Sequence, residues 1–212
     1  MTVSSKMKKG MSAKHRSRIA LGIFLLLIAG CSVSRHPMRT TVRQLQRERP
    51  ANDSSFVYEL PFPPKRTYRV IQGYFSRFTH RERAALDFNL RNGDTITAAR
   101  SGVVVRVKQD GRRGGLNRKF RKDGNHIILQ HADGSRAGYW HLRYQGSLVR
   151  TGDTISTGQP IARSGKTGYA LTPHLHFLVW KYEKGTWEQV PTPFRTQRGV
   201  RYLRPWKRYR RS

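Results

Sequence analysis

The amino-acid sequence predicts a mainly β domain with antiparallel pairing over residues 67–194, set between an N-terminal leader and tether and a C-terminal basic tail. Three observations predict it. Short β-branched or alternating segments recur through the middle of the chain: Thr67–Ile71, Ala85–Leu90, Thr95–Ala99, Val103–Lys108, His126–His131, Gln159–Ala162 and Leu175–Lys181. Successive residues of such a segment belong to opposite faces of a sheet. Turn chemistry falls between them, at Asn92-Gly93-Asp94, Gly114-Gly115, Asp133-Gly134, Thr151-Gly152-Asp153 and Ser164-Gly165, where Gly, Asn and Asp accept the backbone angles of tight turns. No window carries a helical apolar stripe longer than two turns, and no internal repeat is present.

Composition narrows the class further. Of 212 residues, 42 are Lys or Arg and 12 are Asp or Glu, a formal charge of +30. The length suits one domain of ordinary size plus tails. The 4 Trp, 9 Tyr and 9 Phe, most of them in patterned segments, argue against a disordered chain. A single cysteine excludes an intrachain disulfide framework. The one uninterrupted apolar run, Ile19–Gly30, excludes a polytopic membrane protein, and it is shorter than the roughly 20 residues a spanning helix needs.

That run has the setting of a secretory leader. Residues 1–18 carry Lys6, Lys8, Lys9, Lys14, Arg16 and Arg18 with no acid, and small residues follow the apolar stretch. Ile28-Ala29-Gly30-Cys31 resembles a bacterial lipoprotein box, which implies cleavage before Cys31 and a lipid anchor on that cysteine. Ser32, where an Asp would signal inner-membrane retention, points to the outer membrane and its periplasmic side. Residues 1–30 are then the leader, and without their six cations the charge is +24. Residues 31–66 are polar, basic and proline-bearing without sustained periodicity, and read as a tether. Residues 195–212 hold eight Lys or Arg and no acid, interleaved with Tyr202, Trp206 and Tyr209, and read as a tail. Gln109–Gly124 is a basic loop with six cations. Tail and loop together suit an anionic envelope surface, such as lipid headgroups or lipopolysaccharide, and a secretory address argues against nucleic acid.

Ser164-Gly165-Lys166-Thr167 resembles the end of a phosphate-binding loop, but Pro160 stands where that motif needs glycine and a strand follows where it needs a helix. The histidines carry more. His174 and His176 alternate in Pro173-His174-Leu175-His176-Phe177, so both reach one face of a strand. Asp87, in Leu86-Asp87-Phe88, falls on the polar face of its own segment, and a carboxylate beside imidazoles suits zinc. His80 lies seven residues upstream, about 23 Å away along a straight strand. Residues 81–86 must therefore loop back for the two to meet. His141 follows Tyr139-Trp140 in a short strand-like run. His131 reads as structural in a turn, His126 as strand-surface, and His15 and His36 lie outside the domain.

Together these pieces resemble the LytM/lysostaphin-type zinc metalloendopeptidases, which cut peptide bridges in bacterial peptidoglycan. The resemblance runs from about Tyr68 to Trp180. It rests on Gln72-Gly73-Tyr74, His80, Ala85-Leu86-Asp87-Phe88, the run from Gly93 to Val104, Gly124-Asn125, His131-Ala132-Asp133-Gly134, Tyr139-Trp140-His141-Leu142, Gly165-Lys166-Thr167-Gly168 and Pro173-His174-Leu175-His176-Phe177. It implies an antiparallel sheet flooring a central groove. It implies zinc held by His80, Asp87 and His176, with His141 and His174 as non-ligand catalytic histidines. The best-known members have three residues between the first His and the Asp, and this chain has six. A longer form with this Ala-Leu-Asp-Phe context also occurs in the family. The expected function is a lipid-anchored zinc endopeptidase acting on peptidoglycan cross-links. The rival reading is a non-enzymatic relative that activates a partner hydrolase or binds the envelope; such relatives typically lack one or more ligand positions, whereas all three ligand positions and both catalytic-histidine positions are filled here.

Overall fold

The computed structural model describes residues 36–47 and 56–212. The expected leader 1–30 and the anchor residue Cys31 lie outside the described residues. Among the described residues, no helix is long and apolar enough to cross a membrane. Among the described residues, one α-helix, α1 (Met38–Leu45), precedes the strands. The first seven strands are β1 (Thr67–Gln72), β2 (Ala85–Phe88), β3 (Thr95–Thr97), β4 (Gly102–Lys108), β5 (His126–Gln130), β6 (Arg136–Trp140) and β7 (Leu142–Ser147). The next seven are β8 (Thr154–Ile155), β9 (Pro160–Ser164), β10 (Leu175–Glu183), β11 (Thr186–Val190), β12 (Pro193–Thr196), β13 (Gly199–Tyr202) and β14 (Arg208–Arg210).

A large sheet runs β14-β1-β2-β10-β6-β5-β4-β8, with β11 added to the far half of β10. A second sheet is β3-β9-β7, and β12 and β13 form a hairpin. Every strand pairing in these sheets is antiparallel, as the alternating pattern and tight turns require. One face of the large sheet is apolar: Leu86 and Phe88 of β2, Leu175, Phe177 and Val179 of β10, Ala137 and Tyr139 of β6, and Ile127 and Leu129 of β5. These pack in a single cluster with Ile96, Leu142, Ile161 and Ala162 of the second sheet. The Tyr139 hydroxyl crosses that interface and accepts from the Ala99 amide at 2.8 Å. The opposite face of the large sheet carries Asp87, His176, Trp140 and His126 in one cross-strand row.

The domain boundaries differ from those expected at 67 and 194. Tyr58, Leu60 and Phe62, assigned to the tether, are fully buried in the core. Tyr58 donates its amide to Pro193 and accepts at its carbonyl from Arg195, so the segment runs beside β12. Tyr58, Leu60 and Phe62 alternate with Glu59 and Pro61, and the prolines at 61, 63 and 64 mask the pattern without removing it. The basic tail is also structural. β14 pairs with β1 and covers a sheet edge whose amides would otherwise be unpaired, while Leu203 is buried and Arg211 donates to the Phe62 carbonyl and Thr97 hydroxyl at 2.9 Å each. Alternation puts the arginines of Arg208-Tyr209-Arg210 outward and Tyr209 against the core. His126 is a further correction: it is buried, stacked on Trp140 at 4.0 Å, and donates from Nδ1 to the Gly124 carbonyl at 3.0 Å.

Candidate metal centre

β2 and β10 place the first two site residues. Their antiparallel register sets His176 directly opposite Asp87, and neighbours at such a position have Cβ atoms about 5 Å apart. The third comes from the loop 73–84. The Phe75 amide bonds to the Arg83 carbonyl at 2.8 Å and the Arg83 amide to that of His80 at 3.1 Å, so the loop closes and returns His80 to β2. Six intervening residues are spanned by that loop. His80 Nδ1 bonds the Gly73 carbonyl at 3.1 Å, so Nδ1 carries the proton and Nε2 presents its lone pair.

His80 Nε2, Asp87 Oδ1 and His176 Nδ1 converge. Their separations are 3.1 Å between the imidazoles, 3.2 Å from His80 to Asp87 and 2.8 Å from His176 to Asp87. All three residues are buried. Ligands about 2.0 Å from a tetrahedral zinc lie about 3.3 Å from one another, close to this triangle. The donor chemistry agrees. A proton on His176 Nδ1 serves Asp87 but leaves His80 Nε2 facing other acceptors, whereas one cation satisfies all three atoms. These residues are also the group of metal-ligating side chains within 4.8 Å of one another among the described residues. They form a zinc-type site of three donors, and a tetrahedral zinc bound by three protein ligands has one position left for a fourth, as a catalytic zinc requires.

Electrostatics follow from burial and neighbours. For Asp87, burial favours the neutral acid, but the His80 and His176 rings outweigh it and hold the carboxyl well below its usual range. Burial drives His176 down to about 4, with Asp87 opposing. The second carboxylate oxygen is occupied too: Gln72 Nε2 donates to Asp87 Oδ2 at 3.0 Å and to Thr79 Oγ1 at 2.7 Å. Gln72-Gly73 thus holds two of the three ligands, one by side chain and one by carbonyl.

His141 and His174 stand beside this triangle. Their ring centroids are 4.6 Å apart, and His141 is 5.7 Å from the His176 ring. His174 Nδ1 bonds the Thr172 carbonyl at 2.8 Å, and Nε2 lies 3.9 Å from Asp87 Oδ1. His141 has a left-handed φ of 65° at the switch from β6 to β7. Regular alternation would send residue 141 to the face opposite Trp140; the left-handed residue breaks it and brings the ring to the site. His141 Nδ1 donates to the Thr167 carbonyl at 2.7 Å. Burial, then the neighbouring His174 and His176, lower its pKa to about 3, so the ring is neutral.

In the sequence Gln72, Asn125 and Thr167 stand only as parts of motifs; the structure gives each a task. Asn125 is fully buried and accepts the Gly111 amide at 2.8 Å. It donates from Nδ2 to the carbonyls of Gly111 at 2.8 Å and Arg143 at 3.2 Å. Its amide donates to Thr167 Oγ1 at 3.0 Å, and that hydroxyl donates to Leu142 at 2.7 Å. The basic loop is therefore pinned at its base to the segment that orients His141. A Cβ on Gly114 would lie 1.7 Å from the Lys166 carbonyl oxygen, so this approach needs glycine.

Comparison with known proteins gives the family of the chain. The model of peptidase family M23 matches residues 81–188, a stretch that contains Asp87, His141, His174 and His176 and begins one residue after His80. An uncharacterized metalloprotease of Buchnera aphidicola is 32% identical over 132 residues, 59% of this chain and 32% of that protein. The peptidoglycan DD-endopeptidase ShyA of Vibrio cholerae is 33% identical over 91 residues, 43% of this chain and 18% of that protein. Among solved structures, the antimicrobial peptidase lysostaphin from Staphylococcus simulans is 30% identical, with a TM-score of 0.43, covering 57% of this chain and 47% of that one. The chain spans less than a third of the length of these two curated relatives. With more than half of its residues matched by the family model, the chain belongs to peptidase family M23.

Proposed function

We propose that this chain is a zinc endopeptidase that hydrolyses peptide cross-links of peptidoglycan, anchored by lipid on Cys31 to the periplasmic side of the outer membrane. The observation that carries the catalytic part is the triangle of His80 Nε2, Asp87 Oδ1 and His176 Nδ1, with two further histidines beside it. Relatives named as peptidoglycan endopeptidases support the substrate class. The leader motif supports the anchor.

His80, Asp87 and His176 would hold zinc, which when bound polarises a scissile carbonyl and activates water near neutral pH. The remaining chemistry falls to His141 and His174. Each has its Nδ1 committed to a backbone carbonyl, so each keeps Nε2 for the reaction. From that atom one imidazole accepts a proton from the attacking water. A protonated Nε2 then donates to the oxygen of the scissile carbonyl as it becomes negative, or to the departing amine.

Digestion of purified peptidoglycan sacculi tests this. The full chain should convert cross-linked into un-cross-linked muropeptides, counted after the treated wall is digested with a glycosidase; the conversion should stop with chelator, and His174→Ala should lower its rate by ~10²-fold or more while zinc stays bound. Intact sacculi with zinc-loaded, folded protein would contradict the enzyme and favour a role as activator of another hydrolase.

A further inference from the structure

We infer that Arg136, Trp180 and Trp187 form a carboxylate-binding subsite on the floor formed by the sheet face that carries the metal centre; this rests on the peptidase reading and names a substrate feature that it recognises. Alternation along β10 puts His176, Leu178, Trp180 and Tyr182 on one face. The floor therefore continues from the metal centre to Trp180, four residues or about 13 Å further on. Register places Arg136 opposite Trp180, and Gln130 opposite Arg136. β11 extends the same face, with Trp187 opposite Tyr182.

These residues line one hollow, formed by Ile128, Arg136, Trp180 and Trp187. Gly138 makes it flat. A Cβ there would lie 2.8 Å from Trp140 Nε1 and 2.8 Å from two ring carbons of Trp180, so only glycine lets both indoles lie down on the sheet. The Arg136 guanidinium sits 4.3 Å from the Trp187 ring centroid, and its Nε donates to Gln130 Oε1 at 3.0 Å. It is held as an oriented plane, and among the described residues no carboxylate pairs with it. A fixed planar guanidinium beside apolar rings recognises a carboxylate through paired N–H donors, while the rings take the aliphatic carbons that bear it. Extended peptide spans at most about 3.5 Å per residue, so that carboxylate lies about four residues from the bond at the metal centre. It can be a side-chain carboxylate or a terminal one.

The test compares untreated sacculi with sacculi whose free carboxyls have been amidated, using the zinc-loaded full chain. Wild type should cut the amidated wall ~10-fold or more slowly, and Arg136→Gln should cut both at the same reduced rate. Equal rates for wild type, or discrimination that survives in Arg136→Gln, overturns the subsite. Indole fluorescence titration with the tetrapeptide Ala-Glu-Lys-Ala, amidated at its side chain, its C-terminus or both, identifies the carboxylate that is read. Arg136-dependent binding of an acidic peptide without cleavage of any wall would uphold the subsite and sink the peptidase reading. Cleavage without carboxylate preference would do the reverse.

Discussion

The two walls of the metal centre are built differently. On one side His80 sits on the loop 73–84, held by one carbonyl bond from Gly73 and by the closure between Phe75 and Arg83. The N-terminal segment leans on that loop: His36 stacks on Phe75 at 4.0 Å, and its Nε2 lies 3.7 Å from Glu82. On the other side His141 is fixed by a buried network through Thr167, Asn125, Gly111 and Leu142, with glycine at each close backbone approach. Between them Asp87 and His176 need no such support, because strand register alone makes them neighbours. A residue placed by register is as secure as the sheet, whereas a residue placed by a loop is only as secure as the bonds behind it.

The His141 wall gives the larger expected effect. Asn125→Ala leaves the Gly111 amide and the carbonyls of Gly111 and Arg143 without a partner. It should cost about 2–4 kcal/mol in stability, read as a lowered thermal midpoint. Catalysis should fall ~10²-fold with zinc affinity unchanged, because the damage reaches His141 and not the ligands. An unchanged rate would show that the network is packing alone. The His80 wall should respond in the opposite sense. Gln72→Ala frees Asp87 Oδ2 and should weaken zinc binding ~10–100-fold in a chelator competition, with little loss of stability. Equal zinc affinity in wild type and Gln72→Ala would remove Gln72 from the account.

A smaller effect distinguishes neither wall but tests the burial both depend on. Burial lowers the pKa of His126, His131, His141 and His176 in the folded chain. Unfolded histidines titrate near 6.5, so below that pH the unfolded state binds more protons. Stability of the metal-free chain should therefore fall as pH drops from about 6.5 towards 4, and it should be level above 7. Asp87, held low, adds its own loss below about 4. A thermal midpoint that is flat or rising on acidification across that window would contradict this.

The sequence revealed the strand-borne part of the site better than the rest. Alternation in Leu86-Asp87-Phe88 and His174-Leu175-His176 was enough to assign faces, since strand geometry is local. The positions of His80 and His141 were not derivable that way: one depends on how a loop closes, the other on a single left-handed residue. His126 was misplaced because a lone polar residue in a strand gives no sign of the indole that will cover it. The edges of the domain are hidden in the sequence for a related reason. Proline in 56–64 and arginine in 195–211 dominate the composition, yet the alternating apolar residues between them decide the packing. Truncation after residue 194 would accordingly remove β13, β14 and Leu203, and with them part of the fold.

On this reading a loop and two strands together hold one metal ion. Zinc content measured after dialysis of the zinc-loaded full chain, for wild type, His80→Ala and His141→Ala, tests it most directly. One zinc per chain is expected in wild type and in His141→Ala, and none above background in His80→Ala. Full zinc in His80→Ala, or its loss in His141→Ala, would contradict it.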